Sequence, residues 1–215
     1  MKKMKDTIKI YNGCPISEEG TRTLSIVTAQ EVAECAEKHG ESVDIFVPAV
    51  QPFNDKANGE PTPRDIYKGD IERLRESNIA LFNLTGGLQD GTNSEIGVVT
   101  GMNESIVSEM IGHKLDFDIF ETRESWDKAL RELLIVTFAY STASRVPNPQ
   151  HFYGIASASV NHLILGMLDE WGIIFPTRKA MIDTLEEKGV EKLREEVVQK
   201  ISNAIIEENQ LSFVG

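Results

Sequence analysis

The sequence predicts an α/β fold: a doubly wound, mostly parallel sheet with flanking helices, an inserted segment and a C-terminal helix. Two observations carry this. Short apolar runs of the kind that form buried strands alternate with segments whose apolar residues recur every three or four positions, the order expected of βαβ units. The runs also end in turn signals, such as Asn12-Gly13-Cys14-Pro15 after the first of them. A length of 215 residues fits one domain spanning 1–215 with a sizeable core.

Taken in order, Ile8–Tyr11 is the first strand. Ser17–His39 is a helix, with Ile26, Ala29, Val32, Ala33 and Ala36 on one face and Gly40 as its stop. Val43–Val47 is the second strand, ended by Pro48, and Gln51–Pro63, with three prolines, is a loop. Arg64–Glu76 is a helix that leads into the buried-type strand Ile79–Leu84. A glycine-rich turn, Gly86–Gly91, opens the next helix at Thr92. The segment Glu104–Arg131 is more polar and less regular, with a helical finish over Trp126–Glu132, and reads as an insertion. Leu133–Tyr140 is a strand, Ser141–Tyr153 a loop and Ser157–Trp171 a largely apolar helix. Thr184–Glu208 is a charged helix appended at the end. A sheet of this flavodoxin/Rossmann-like kind binds ligands at the carboxyl ends of its strands, where these turns lie.

Composition narrows the function. Asp and Glu number 34 against 22 Lys and Arg, a formal charge of -12 with a pI near 4.8. That field repels phosphate backbones and anionic lipid, so no nucleic-acid polymer and no membrane is expected as a partner. The longest apolar runs fall far short of the roughly 20 residues that span a bilayer. Met1–Lys5 is basic but no apolar signal core follows, so the expected location is cytoplasmic. Two cysteines, Cys14 and Cys35, make no disulfide framework and no metal spacing. The phosphate loop GxxxxGK[ST], the GxGxxG fingerprint, HExxH and GxSxG are all missing, and no metal or organic cofactor is expected. His162, in an apolar helix, reads as a packed residue.

Carboxylates in apolar surroundings are the remaining signal. Glu95 shares a helical face with Val98, Val99, Met102 and Ile106, where its desolvation is costly unless something uses or pairs it. The positive end of the helix is expected to keep it ionised. Thr92-x-x-Glu95 is equally the pattern of a capping box, in which the Glu only returns a hydrogen bond to the Thr backbone. Asp70 lies one turn from both Ile66 and Leu74, inside the apolar arc of its helix; pairing with Arg73 would explain it away. Asp90, in the glycine-rich turn, is either a turn former or a third acid. Converging carboxylates can divide the roles of nucleophile and general acid, because each shifts the other's pKa. With no Lys or Arg fixed beside them, they suit a cationic, oxocarbenium-like transition state better than phosphoryl transfer.

In this arrangement the chain resembles the nucleoside 2-deoxyribosyltransferase family. The resembling pieces are Ile8–Pro15, Ile45–Pro48 with Gln51, Asp65–Asp70, Ser77–Leu81, Gly91–Gly97, the strand Leu133–Tyr140 and Asn161–Gly166. The resemblance implies transfer of the 2-deoxyribosyl group between nucleobases, with Glu95 as the nucleophile at C1′ and Asp70 handling the proton of the departing base. It implies a further acid before the nucleophile; strict spacing puts Gln89 there and Asp90 one residue later, and Asp90 is taken because it titrates. Tyr11 would orient Glu95. Gly13, Gly91 and Thr92 would line the site, Gln51 would contact the base, and Asn161 would reach the 5′-hydroxyl. Implied partners are deoxynucleosides and free nucleobases, in a homo-oligomer with shared active sites. The same carboxylates would also serve an N-glycoside hydrolase that releases free base from a nucleoside or nucleotide. A third alternative is a non-catalytic nucleoside-binding protein in which Glu95 is only a cap.

Overall fold

The apolar runs pair into one parallel sheet. A computed structural model of the chain describes residues 7–15, 19–51, 62–85, 90–117, 119–141 and 161–213. Its strands are β1 (Ile8–Gly13), β2 (Val43–Phe46), β3 (Ile79–Asn83), β4 (Val136–Tyr140) and β5 (Gly172–Phe175), in the order β2-β1-β3-β4-β5. Every pairing is parallel. The doubly wound expectation holds, and the order reverses between β1 and β3, which leaves a crevice at the carboxyl ends of those two strands. The helices are α1 (Glu19–Lys38), α2 (Pro63–Arg75), α3 (Asp90–Phe117), α4 (Arg123–Leu133), α5 (His162–Glu170), α6 (Arg178–Lys188) and α7 (Val190–Asn209).

Strand alternation divides the core in two. Ile8, Ile10, Ile79, Leu81, Val136 and Phe138 pack with residues of α1, α6 and α7. Tyr11, Ala80, Phe82 and Ala139 point the other way, onto Ile71 and Leu74 of α2, Ile96 and Val99 of α3, and α5. The central strands β3 and β4 are buried at every position, as strands covered on both faces must be. Asn103, buried in α3, donates through Nδ2 to the Ile135 carbonyl at 2.9 Å and accepts from the Ile135 N–H at 3.1 Å, fixing α3 to the entry of β4. Both cysteines are buried and unpaired.

Several sequence expectations need correction. The segment 104–131 is not irregular: α3 runs through to Phe117 and α4 starts at Arg123 behind its cap Thr122. Val107, Met110, Trp126 and Leu130 from this stretch sit in the core. Leu133 closes α4 rather than opening β4, and β2 stops at Phe46 before a 3-10 turn, Pro48–Val50. The four-residue β5 was not anticipated. The expected last helix is two, broken at Gly189, whose φ of 84° is left-handed. There Glu41 caps α7, its carboxylate accepting from the Val190 N–H at 2.8 Å and the Glu191 N–H at 3.3 Å. His162 is exposed, not packed. Most of the loops expected at 51–63 and 141–153 lies outside the described residues, as does 86–89 of the glycine-rich turn.

The edge strand β5 depends on Gly172, opposite Thr137 of β4. A Cβ there would stand 1.7 Å from the Thr137 carbonyl oxygen, which is backbone and cannot yield. Gly172→Ala is expected to cost at least about 2 kcal/mol in a urea unfolding titration.

Candidate active site

The crevice between β1 and β3 gathers the two anomalous carboxylates. The last residues of β1 bring Tyr11 and Gly13 to its wall, and Glu95 enters from the second turn of α3. Tyr11, fully buried, donates its phenolic O–H to Glu95 Oε1 at 2.8 Å. Glu95 Oε2 is buried with no partner among the described residues. The carboxylate comes so near β1 that a Cβ on Gly13 would lie 2.8 Å from Oε2 and 2.8–2.9 Å from the Phe82 ring. Only glycine leaves room for the acid between the two strands.

Asp70 reaches the same crevice from α2, near enough to act electrostatically on Glu95 and Tyr11, and its Oδ1 is likewise buried without a partner among the described residues. Arg73 does not neutralise it. That guanidinium lies over the Phe46 ring, 5.5 Å from its centroid, and 3.9 Å from Glu76. The capping alternative for Glu95 also fails. α3 begins at Asp90, so Thr92 is already inside the helix and Glu95 lies beyond its first turn. A true capping box occurs at the start of α2, where Thr62 Oγ1 accepts from the Asp65 N–H at 3.2 Å and Asp65 accepts from the Thr62 N–H at 3.3 Å.

Burial dominates the electrostatics. It pushes the Glu95 carboxyl up to about 8; the Tyr11 hydrogen bond opposes this and the charge of Asp70 adds to it. Desolvation thus outweighs the help expected from the helix N-terminus in keeping Glu95 ionised, an effect that fades beyond the first turn. Burial alone raises Asp70 to about 6. Asp70 loses its proton first, while Glu95 is still neutral, so only Glu95 ionises against a neighbouring charge. Tyr11 lies well above the ordinary phenol range, first through burial and then through Glu95 and Asp70, and stays a donor. Burial raises the Cys14 thiol as well.

The other expected residues are less closely drawn in. Asp90 and Gly91 are exposed in the first turn of α3, and among the described residues no hydrogen bond or ion pair fixes the Asp90 carboxylate. Thr92 is buried one turn before Glu95. Gln51 turns its amide back onto the Val47 carbonyl at 3.0 Å. Asn161 caps α5, its Oδ1 accepting from the Leu163 N–H at 2.8 Å, and is exposed. Gln89 lies outside the described residues. Two aromatic residues were missed. Phe82 forms the wall behind Gly13, and Phe46 stacks on Tyr11 with centroids 5.6 Å apart and an interplanar angle of 26°. No local signal marks either, because each is placed by strand pairing: Gly13 with Phe82, and Tyr11 with Phe46.

A cavity of about 950 Å³ opens at the other end of the sheet, where Arg123, Asp127, Glu191 and Arg194 lie on its wall. Its charges serve one another, as in Arg123 with Asp127 at 2.8 Å and Arg194 with Glu191 at 3.1 Å. The unpaired carboxylate oxygens belong to the crevice instead. The folded chain keeps the Glu95 proton up to about pH 8, whereas the unfolded chain releases it near 4.5. The stability this proton provides is complete below pH 4.5 and is lost as pH rises through 8. Glu95→Gln is thus expected to be more stable than the parent at pH 9, by several degrees in Tm, and to show little advantage at pH 4.

Comparison with known proteins agrees with this frame. No curated protein sequence matches the chain. A crystal structure of a conserved protein from Enterococcus faecalis V583 superposes with a TM-score of 0.57 at 14% identity, over 85% of this chain and 99% of that one, a likeness of fold. RosB with bound 8-demethyl-8-formylriboflavin-5′-phosphate gives a TM-score of only 0.33 at 12% identity, over 94% and 80% of the two chains, too loose to argue from. No helix among the described residues is long and apolar enough to cross a membrane. Residues 24–111, which run from α1 to α3 and include Asp70 and Glu95, match the model of the nucleoside 2-deoxyribosyltransferase family.

Proposed function

We propose that the protein transfers the 2-deoxyribosyl group of a nucleoside from one nucleobase to another. The observation that carries this reading is the free, buried Glu95 Oε2, held on its other oxygen by Tyr11 and sharing its crevice with the unpaired Oδ1 of Asp70. Glu95 Oε2 attacks C1′ as the bond from C1′ to the base nitrogen breaks; the electron pair of that bond leaves with the base, and Asp70 supplies its proton. A second base then displaces Glu95 from C1′ and returns a proton to Asp70. Two displacements restore the original anomer, as in retaining glycosidases. Tyr11 orients the carboxylate and withdraws some charge from Oε1. Gly13 and Phe82 close the crevice behind it, and a crevice without water favours a base over water as the second nucleophile. The family match over Asp70 and Glu95 supports this choice of substrate. Asp70, not the exposed Asp90, is assigned the proton. Asn161, whose Nδ2 has no hydrogen bond among the described residues, is assigned to a sugar hydroxyl, in this subunit or a neighbour.

The reaction needs one proton on the pair, resting on Asp70 at the moment of attack. The pair holds one proton between about pH 6, where Asp70 titrates, and about pH 8, where Glu95 does. A bell-shaped kcat/KM is expected, with limbs near those values and a maximum near 7. The function itself is tested by incubating the protein with a 2′-deoxynucleoside and a different free base, then separating the products. A new deoxynucleoside is expected. Free deoxyribose without exchange would mean a hydrolase, and no turnover with any purine or pyrimidine donor would mean a binding protein. Glu95→Ala should lower exchange by at least about 1,000-fold while the fold persists, and Asp70→Asn by about 100-fold, least for donors whose base leaves readily.

A further inference from the structure

Outside the two carboxylates, the crevice has a feature that the reaction as written does not use. Phe46 ends β2, a four-residue edge strand with no fully buried position. Its ring is only partly buried, against the core cluster that holds Tyr11. It lies beside Tyr11 in register, stacked at 5.6 Å, and the Arg73 guanidinium covers it at 5.5 Å. An ion pair does not explain where Arg73 sits. Its contact with Glu76 is 3.9 Å, and Glu76 is engaged more closely by Lys9 at 3.2 Å. Arg73 follows Asp70 by three residues on α2, close to one helical turn. A continuous series of contacts thus runs from the Asp70 helix through Arg73, Phe46 and Tyr11 to Glu95.

We propose that Phe46 and Arg73 are positioning residues, whose stack holds the Tyr11 hydroxyl on Glu95 and ties that carboxylate to the helix bearing Asp70. The proposal rests on the deoxyribosyl-transfer reading only for its kinetic consequence. Tyr11 is the sole described hydrogen-bond partner of Glu95, so a small tilt of its ring changes what the carboxylate feels. The stack is a cation over one aromatic ring laid against another, a contact that depends on ring geometry as well as charge. Around Glu95 the titratable neighbours are Tyr11 from β1, Cys14 just after it and Asp70 from α2, with Arg22 of α1 acting on Cys14. Phe82 of β3 is apolar. α5, packed against α3, carries His162 in its first turn and Asp169 and Glu170 at its far end.

The test is a carbon-13 titration of the glutamate carboxyls, with Glu95 assigned from its loss in Glu95→Gln. Phe46→Leu keeps apolar bulk without the ring, Phe46→Tyr restores the ring, and Arg73→Gln removes the cover. Phe46→Leu is expected to raise the Glu95 midpoint by about one pH unit, because Tyr11 then donates less well. Arg73→Gln should move it the same way, and the shift should persist in 0.5 M salt, which screens a through-space charge effect at an exposed arginine. Phe46→Tyr should return the parent value. An unchanged or lowered midpoint in Phe46→Leu, or an Arg73→Gln shift abolished by salt, would overturn the proposal. The titration needs no substrate, so it stands or falls apart from the reaction. If the transferase reading holds, Phe46→Leu also moves the alkaline limb of kcat/KM up by about one pH unit and lowers its maximum near pH 7 about tenfold, because the form with the proton on Asp70 and Glu95 ionised becomes rarer.

Discussion

A carboxylate buried with one hydrogen bond is the constraint on which the rest of this molecule's crevice depends. Glu95 could have been solvated, capped or paired, and it is none of these. Its Oε1 has Tyr11, and among the described residues its Oε2 has no partner. Holding it there requires a strand with no side chain where the oxygen comes near, which is Gly13, and a neighbouring strand whose ring fills the space behind, which is Phe82. It also requires β1 and β3 to be adjacent, and the reversal of strand order makes them so. Desolvating an acid costs folding energy that a cap or an apolar residue would not. Such costs cluster at sites where the buried group meets a ligand.

The second carboxylate shares that burial. Asp70 and Glu95 are both raised by burial, to different extents, so a single proton belongs to the pair over a range centred near neutrality. In the empty crevice the proton rests mainly on Glu95, the weaker acid. In the proposed reaction, attack at C1′ needs it on Asp70, and a sugar whose C1′ gained positive charge would favour that exchange, because the cation would stabilise the ionised Glu95 beside it. A neutral nucleoside brings no further charge into the crevice. The acidic balance of the whole chain is compatible with that choice.

Much of the fold was legible because strands and helices announce themselves by local period. β1, β3 and the helices α1 and α2 stood where apolar spacing and turn residues placed them. The misses have physical reasons. Thr92-Asn93-Ser94-Glu95 reads as a helix start, yet α3 begins two residues earlier at Asp90, and this offset removes the capping box. Gly172–Phe175 is too short to show a period. α6 and α7 share a nearly continuous apolar stripe, so the break at Gly189 was hidden until its left-handed backbone was seen. Asp70 was visible as a carboxylate in an apolar arc, but the position of Arg73 was not, since an arginine three residues away can equally pair or turn aside. Phe46 and Phe82 could not be found at all from local sequence, because cross-strand register brings them to the crevice.

The central claim is that Glu95 forms a bond to the sugar. Its most direct measurement is mass mapping of the protein quenched in acid during turnover of a 2′-deoxynucleoside without an acceptor base. The account predicts a deoxyribosyl adduct on the peptide that contains Glu95, lost when a free base is added before the quench and missing from Glu95→Gln. An adduct on another residue, or undiminished turnover by Glu95→Ala, would contradict it.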